Sequence, residues 1–201
     1  PGFEEKWKMT LRSEVAEVLK GKGISKSQIS YSGDRACVLY GELFTVYKCV
    51  ITTVLSRTNS AEGVLSVKGD ILMPGSTTTT GIDLATASAL LEDGIALGGD
   101  INIIRKRGNH YNPVFLAYYL SNAKRKEIAD IAQGITIHHL YGKDLKKILL
   151  LLPTLDEQTA IASILSDMDA EIAALEEKLH KAKLIKQGMM QELLTGRIRL
   201  V

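Results

Sequence analysis

Four short stretches of this sequence gather side-chain types that suit phosphates and base edges, though each taken singly also reads as a solvated loop. "KGKGISKSQIS" (20–30) carries Lys20, Lys22, Lys26, Ser27 and Gln28 around two glycines, and "PGSTTTTG" (74–81) sets Ser76, Thr77 and Thr78 in a hydroxyl-rich turn. "RKRGNHY" (105–111) gathers Arg105, Lys106 and Arg107 beside Asn109 and His110, while "AQGITIHH" (132–139) adds Gln133, Thr136, His138 and His139. Cationic side chains, hydroxyls and backbone N–H groups suit phosphates; the amides of Gln can pair bidentately with adenine. Alanine at Gln28 or Gln133 is expected to relax sequence preference if either reads a base. Substitution of Lys22 or Arg105 is expected to weaken binding and flatten its salt dependence.

Catalytic chemistry has less support. "NPVF" (112–115) resembles the Asn-Pro-Pro-Phe-type motif with which amino-methyltransferases hold a flipped base. However, Val114 replaces the second proline, and no glycine-rich cofactor loop follows a first strand. A helix start with Pro113 in its first turn accounts for the same residues. "KGKG" (20–23) and "LGGDIN" (97–102) fit neither a phosphate-binding loop nor a dinucleotide fingerprint. The pair His138–His139 lacks the carboxylate or Cys company of a metal site, and Cys37 and Cys49 read as free thiols outside any CxxC pair. No catalytic residue, metal or cofactor is therefore expected.

The elements that must position these clusters fall into two regimes. Up to Pro153, short apolar runs alternate with Gly, Asn and Ser; 36–44, 47–55, 64–73, 84–91 and 95–106 read as strands. Residues 113–132 read as one helix with an apolar stripe, and "KKILLLLP" returns to strand before its proline. Strands outnumber helices without βαβ alternation, which predicts an α+β domain with a small sheet and helices over 1–153. From Thr154 the rhythm changes. Thr154 and Glu157 form a Thr-x-x-Glu capping box that starts a long helix over 154–201. Apolar residues then recur at Ile161, Leu165, Met168, Ile172, Leu175, Leu179, Ala182, Met189 and Leu193, the heptad spacing of a coiled-coil seam. Lys186 interrupts the series, and Gly196 supplies a stop. Such a helix is roughly 60 Å long and needs a partner helix for its seam.

Composition narrows the class further. A net charge of +2 over 201 residues gives no basic field across the whole chain, so any DNA contact must be local. The run 148–152 is far too short to cross a bilayer, no signal peptide is visible, and with unpaired cysteines this points to a reducing, cytoplasmic setting. Pro1 in place of Met points to an engineered or truncated start.

The tail is similar to the end of specificity subunits of type I restriction–modification systems. There a leucine–proline element leads into an "EQ..IA..L...D..I" helix that runs to "K..K.G.MQ.LLTG..R". Glu157, Gln158, Ile161, Ala162, Leu165, Asp169 and Ile172 match the first part; Lys183, Lys186, Gly188, Met190, Gln191, Leu193, Leu194, Thr195, Gly196 and Arg199 match the second. "PGFEEKW" (1–7), "LRSEVAEVLKGKGISK" (11–26), and the stretches 67–91 and 113–140 resemble the family's target recognition domains. The resemblance implies a non-catalytic subunit that recognises half of a bipartite target in double-stranded DNA. It also implies docking to adenine-methylating modification subunits, joined by restriction subunits in the nuclease. Family members usually hold two recognition domains whose long helices pair antiparallel. A chain with one domain and one helix is then expected to be a half-subunit that forms a homodimer, or a fragment of a two-domain chain. The rival readings are a coiled-coil assembly protein without DNA specificity and an adenine methyltransferase.

Overall fold

The computed structural model describes residues 8–10 and 15–201. The opening motif "PGFEEKW" and residues 11–14 lie outside the described residues. Chain order runs β1 (Lys8–Thr10), β2 (Ala16–Lys20), β3 (Arg35–Val38), α1 (Glu42–Thr45), β4 (Val50–Ile51), β5 (Arg57–Thr58), β6 (Val64–Leu65), β7 (Asp70–Pro74) and β8 (Ser76–Thr77). It continues with β9 (Ser88–Leu90), β10 (Ala96–Leu97), β11 (Ile101–Lys106), α2 (Pro113–Ser121), α3 (Arg125–Ile131), β12 (His138–His139), α4 (Gly142–Leu145), β13 (Leu149–Leu151) and α5 (Leu155–Leu194). Short 3-10 turns occupy Lys26–Gln28 and Gly81–Ala85. The architecture is α+β, as the sequence predicts.

Contacts divide the chain into two units, residues 1–162 and 163–201. In the first, a five-stranded sheet of order β2-β11-β7-β9-β4 carries apolar residues on both faces. Strand periodicity sorts them: Ile71, Met73, Ala89 and Ile104 join one cluster, whereas Leu72, Leu90, Ile101 and Ile103 join the other. The first cluster is completed by Phe115, Leu116 and Leu120 of α2 and Ile128 of α3. The second is closed by Val38 and Leu97 from a four-stranded sheet of order β5-β3-β10-β6, together with Leu43 of α1.

Most apolar runs expected as single strands are divided. The run 95–106 breaks at Gly98, Gly99 and Asp100, and its halves β10 and β11 serve different sheets. The run 64–73 turns at Gly69 (φ +91°), where the Asp70 carboxylate accepts from Val67 N–H at 2.9 Å. In 36–44, Glu42 accepts from Leu39 N–H at 2.7 Å, and the chain leaves β3 for α1. Only Val50–Ile51 of 47–55 is strand, and 84–91 begins as a 3-10 turn before β9. The helix expected over 113–132 is two: the Asn122 amide donates to the Tyr118 carbonyl at 2.8 Å, ending α2 before α3 starts.

The second regime begins as expected. The Thr154 hydroxyl accepts from Glu157 N–H at 3.4 Å, starting a 40-residue helix that ends before Gly196 (φ +71°). Its first two turns belong to the globular unit. Ala162 is buried, and Ile161, expected in the intermolecular seam, instead packs on the domain core because it lies beside Ala162 on the covered face.

Candidate nucleic-acid interface

The two glycine stretches that fit no nucleotide motif pack against each other. A Cβ on Gly21 would stand 2.0 Å from the Gly98 carbonyl oxygen, so the backbones approach as closely as only glycine allows. Gly21 N–H donates to the Ile101 carbonyl at 2.8 Å and Gly99 N–H to the Gly23 carbonyl at 2.6 Å. Between them Asp100 adopts a left-handed backbone, φ 61°, a conformation that a non-glycine side chain rarely takes. Its carbonyl accepts from Gly75 N–H at 2.6 Å, and the Gly75 carbonyl in turn accepts from Leu140 N–H at 2.8 Å.

Side chains extend this network. Lys20 Nζ lies 2.7 Å from Asp100 Oδ1, and the Ser76 hydroxyl donates to Asp100 Oδ2. Burial pushes the Asp100 carboxyl up, but hydrogen bonds from Lys20 and Ser76, with the Lys20 charge, outweigh it and hold it below the usual carboxylate range. One residue on, β8 pairs with β12: Ser76 faces His139 and Thr77 faces His138. The stretches 20–28, 74–81 and 132–139, separated by some fifty residues each, thus meet at one edge of the domain. A groove of about 920 Å³ runs beside them, lined by Lys26, Tyr31, Tyr40, Arg57 and Asp100. Across Tyr40 and Gly41 it adjoins a second hollow of about 470 Å³ that reaches Thr77, Thr78 and Asp83.

The fourth cluster is elsewhere. It lies at the far end of β11, roughly 15 Å along the strand from Asp100. Arg105 is committed to the fold. Its Nε and an Nη bond both oxygens of the buried Asp70 at 3.0 and 2.7 Å, and an Nη also donates to the Leu65 carbonyl. The expected phosphate role for Arg105 is therefore replaced by an internal one. Arg107 pairs with Glu17 at 3.1 Å; Lys106 bonds Asn109 at 2.7 Å and sits 5.8 Å above the Tyr111 ring, where burial lowers its pKa.

Within the converging clusters the residues differ in what they leave available. Lys22, Lys26, Thr78 and Thr136 are exposed. Gln28 accepts from Ser25 N–H at 2.7 Å and caps the turn in which Ser27 bonds Ser25. Gln133 is likewise engaged: its amide donates to Asp144 at 3.1 Å, and its backbone pairs with His139. Both side chains are exposed, but each has one half of its amide engaged, Gln28 its carbonyl in a local turn and Gln133 its NH2 on Asp144 eleven residues away, which narrows the donor–acceptor pair that adenine reading was expected to use. Thr77 is buried and accepts from Thr79 N–H, and His138 is half-buried in the ladder. Asp100 lines the groove and carries Lys20 beside it as an ion pair; sequence patterning passes over Asp100, whose one signal is an acidic residue after two glycines in a basic neighbourhood.

The motif "NPVF" has a local explanation. Asn112 Oδ1 accepts from Val114 and Phe115 N–H at 3.0 and 3.1 Å, capping α2, with Pro113 at its first position. The Asn112 N–H is taken at 2.8 Å by buried Gln158, whose amide donates to the Pro153 carbonyl at 2.8 Å. The "EQ" of the tail thus fastens the start of α5. Farther along, Met168, Ile172, Leu175, Leu179 and Met189 stand 45% to 56% exposed, with Ala182 open and Leu165 and Leu193 partly so. No helix among the described residues is long and apolar enough to cross a membrane.

Residues 4–184 match the model of the type I restriction modification DNA specificity domain. Over 100 residues, 49% of this chain, the sequence is 31% identical to a type I restriction enzyme specificity subunit, MjaX, of Methanocaldococcus jannaschii, and the match spans 24% of that protein. The fold is similar to the S subunit of a type I restriction–modification system from M. genitalium, with a TM-score of 0.63 at 17% identity over 96% of this chain and 47% of that one. It is also similar to a chain in a structure concerned with complex assembly and conformational transition of the type I system, at TM-score 0.64 and 19% identity, covering 96% of this chain and 46% of that one. The chain thus spans about half the length of these solved relatives. By the match over nearly its whole length, it belongs to the type I restriction–modification DNA specificity family.

Proposed function

We propose that residues 1–162 read one half of a bipartite DNA target through the groove edge where stretches 20–28, 74–81 and 132–139 meet. The observation that carries this reading is that convergence, in a chain of a DNA specificity family. Lys22 and Lys26 contact phosphates, and the groove rim around Tyr31, Tyr40 and Thr78 faces the duplex. The small net charge makes binding by the chain alone weak; modification subunits supply the remaining phosphate-neutralising surface and carry the methyltransferase chemistry. The exposed seam from Leu165 to Leu193 pairs with a second helix, either of another copy or of a second, different half. At about 60 Å, nearly two turns of B-DNA at about 34 Å each, α5 sets an upper bound on the distance between half-sites.

The test is methylome sequencing of a methylation-free host that expresses this chain with its modification subunit. A bipartite motif is expected, palindromic if two copies pair and asymmetric if the partner is a different half. Methylation without any sequence preference, or none above background, rejects DNA reading and leaves a coiled-coil assembly role. The isolated chain is expected to bind no S-adenosylmethionine; binding would favour the methyltransferase reading.

A further inference from the structure

Asp100 is an unusual residue to find in a groove meant for a polyanion. Its carboxylate repels phosphate, yet the fold places it there with considerable precision: a left-handed backbone, two glycine stretches in direct contact, and a carbonyl bond to Gly75. Asp100 lines the groove, and the side chains of Lys20 and Asp100 are 52% and 31% exposed, so the pair is open to an incoming ligand at the groove's edge. Each also keeps capacity. The carboxylate has about four acceptor positions, of which Lys20 and Ser76 fill one on each oxygen; the ammonium has three donors, of which one is used.

A base that meets a carboxylate must offer a donor, and one that meets an adjacent ammonium must offer an acceptor. In the major groove a C·G pair presents cytosine N4–H beside guanine O6, atoms about 2.9 Å apart because they bond each other. The Asp100 and Lys20 atoms are 2.7 Å apart, with the complementary polarity. An A·T pair also offers a donor beside an acceptor, but less favourably. Adenine N7 would set a lone pair against the carboxylate and the thymine methyl would crowd the ammonium, whereas guanine gives Lys20 a second acceptor at N7.

Resting on the DNA-reading function proposed above, we infer that the Lys20–Asp100 ion pair is a specificity-determining couple that reads one C·G base pair of the half-site in the major groove. Asp100 accepts from cytosine N4, Lys20 donates to guanine O6 and N7, and Ser76 holds the carboxylate in place.

The test compares the wild-type chain, Asp100→Asn and Lys20→Met, each expressed with the modification subunit in the methylation-free host, by methylome sequencing and melting of the purified complexes. The wild-type motif is expected to contain a C·G pair in this half-site. Both variants are expected to lose preference at that one position by about tenfold or more while keeping the rest of the motif. An unchanged motif in either folded variant, a uniform fall in methylation at every site, or a wild-type half-site without C·G overturns the inference. If Asp100→Asn does not melt cooperatively, the exposed Lys20→Met decides alone. Absence of any wild-type motif overturns the DNA-reading function itself, which separates that failure from failure of this pair.

Discussion

Arg105 and Lys22 look alike as cations in a string, but their surroundings give them opposite roles. Arg105 holds a nearly buried carboxylate with both arms of its fork, so Arg105→Ala leaves Asp70 unpaired and is expected to lower stability by about 3 kcal/mol in urea denaturation. Lys22→Ala should leave stability within about 0.5 kcal/mol. It should weaken DNA binding of the assembled complex alike on all sequences and reduce the log–log salt slope by about one. Tyr111 offers a contrasting case. Its hydroxyl is buried with no hydrogen-bond partner among the described residues, and burial, with the nearby Asp70 charge, raises its pKa far above the usual phenol range. Tyr111→Phe is therefore expected to be neutral or to stabilise by up to about 1 kcal/mol, read as an unchanged or higher melting temperature. Asp100 titrates in the other direction. Its carboxyl is held below the ordinary value in the folded state, so its contribution to stability is complete at neutral pH. That contribution drains away as pH falls from about 4 through the folded value. Asp100→Asn should make the acid-side loss of stability shallower between pH 5 and 2 in urea titrations at each pH, about those limits being where carboxylates titrate.

Among the elements, legibility followed the range of the interaction that fixes each one. The start and stop of α5 could be read directly, because Thr154, Glu157 and Gly196 act on neighbours within one turn. The cap of α2 is equally local, and Asn112→Ala is expected to cost about 1–2 kcal/mol by circular dichroism-monitored unfolding, since the side chain serves two N–H groups and its residue also meets Gln158. The strands were legible as apolar runs but not as elements. Periodicity cannot show that "IALGGDINIIRK" hands its first half to one sheet and its second to another, because that switch is set by pairing with β3 and β2, far away in sequence. The site was half legible for the same reason. Clusters 20–28, 74–81 and 132–139 could be picked out by side-chain type. Their convergence, the withdrawal of Arg105 and the engagement of Gln133 depend on partners 35, 11 and more residues distant.

At the scale of the molecule, two units divide the work differently. The globular unit packs apolar residues into three buried clusters, the smallest of them Ile24, Cys37 and Ala96, whereas residues 163–194 keep theirs largely exposed at heptad spacing. Replacing Leu175 and Leu179 together with Asp should leave the melting temperature of the globular unit within about 2 °C, since neither is buried. The same double change should abolish helix pairing, which sedimentation velocity would register as a fall in mass; an unchanged mass would place the association surface elsewhere. The ladder between β8 and β12 carries a consequence for how such domains diversify. Ser76 belongs at once to that ladder and to the carboxylate that Lys20 grips, so four separate stretches, those of Lys20, Ser76, Asp100 and His139, share bonds with one another. A single loop transplanted from a relative would arrive without its mates and disturb the three left behind. If the groove edge reads DNA as proposed, a change of target preference is expected to come from exchanging side chains on a constant backbone, or from trading the domain whole, rather than from one loop at a time.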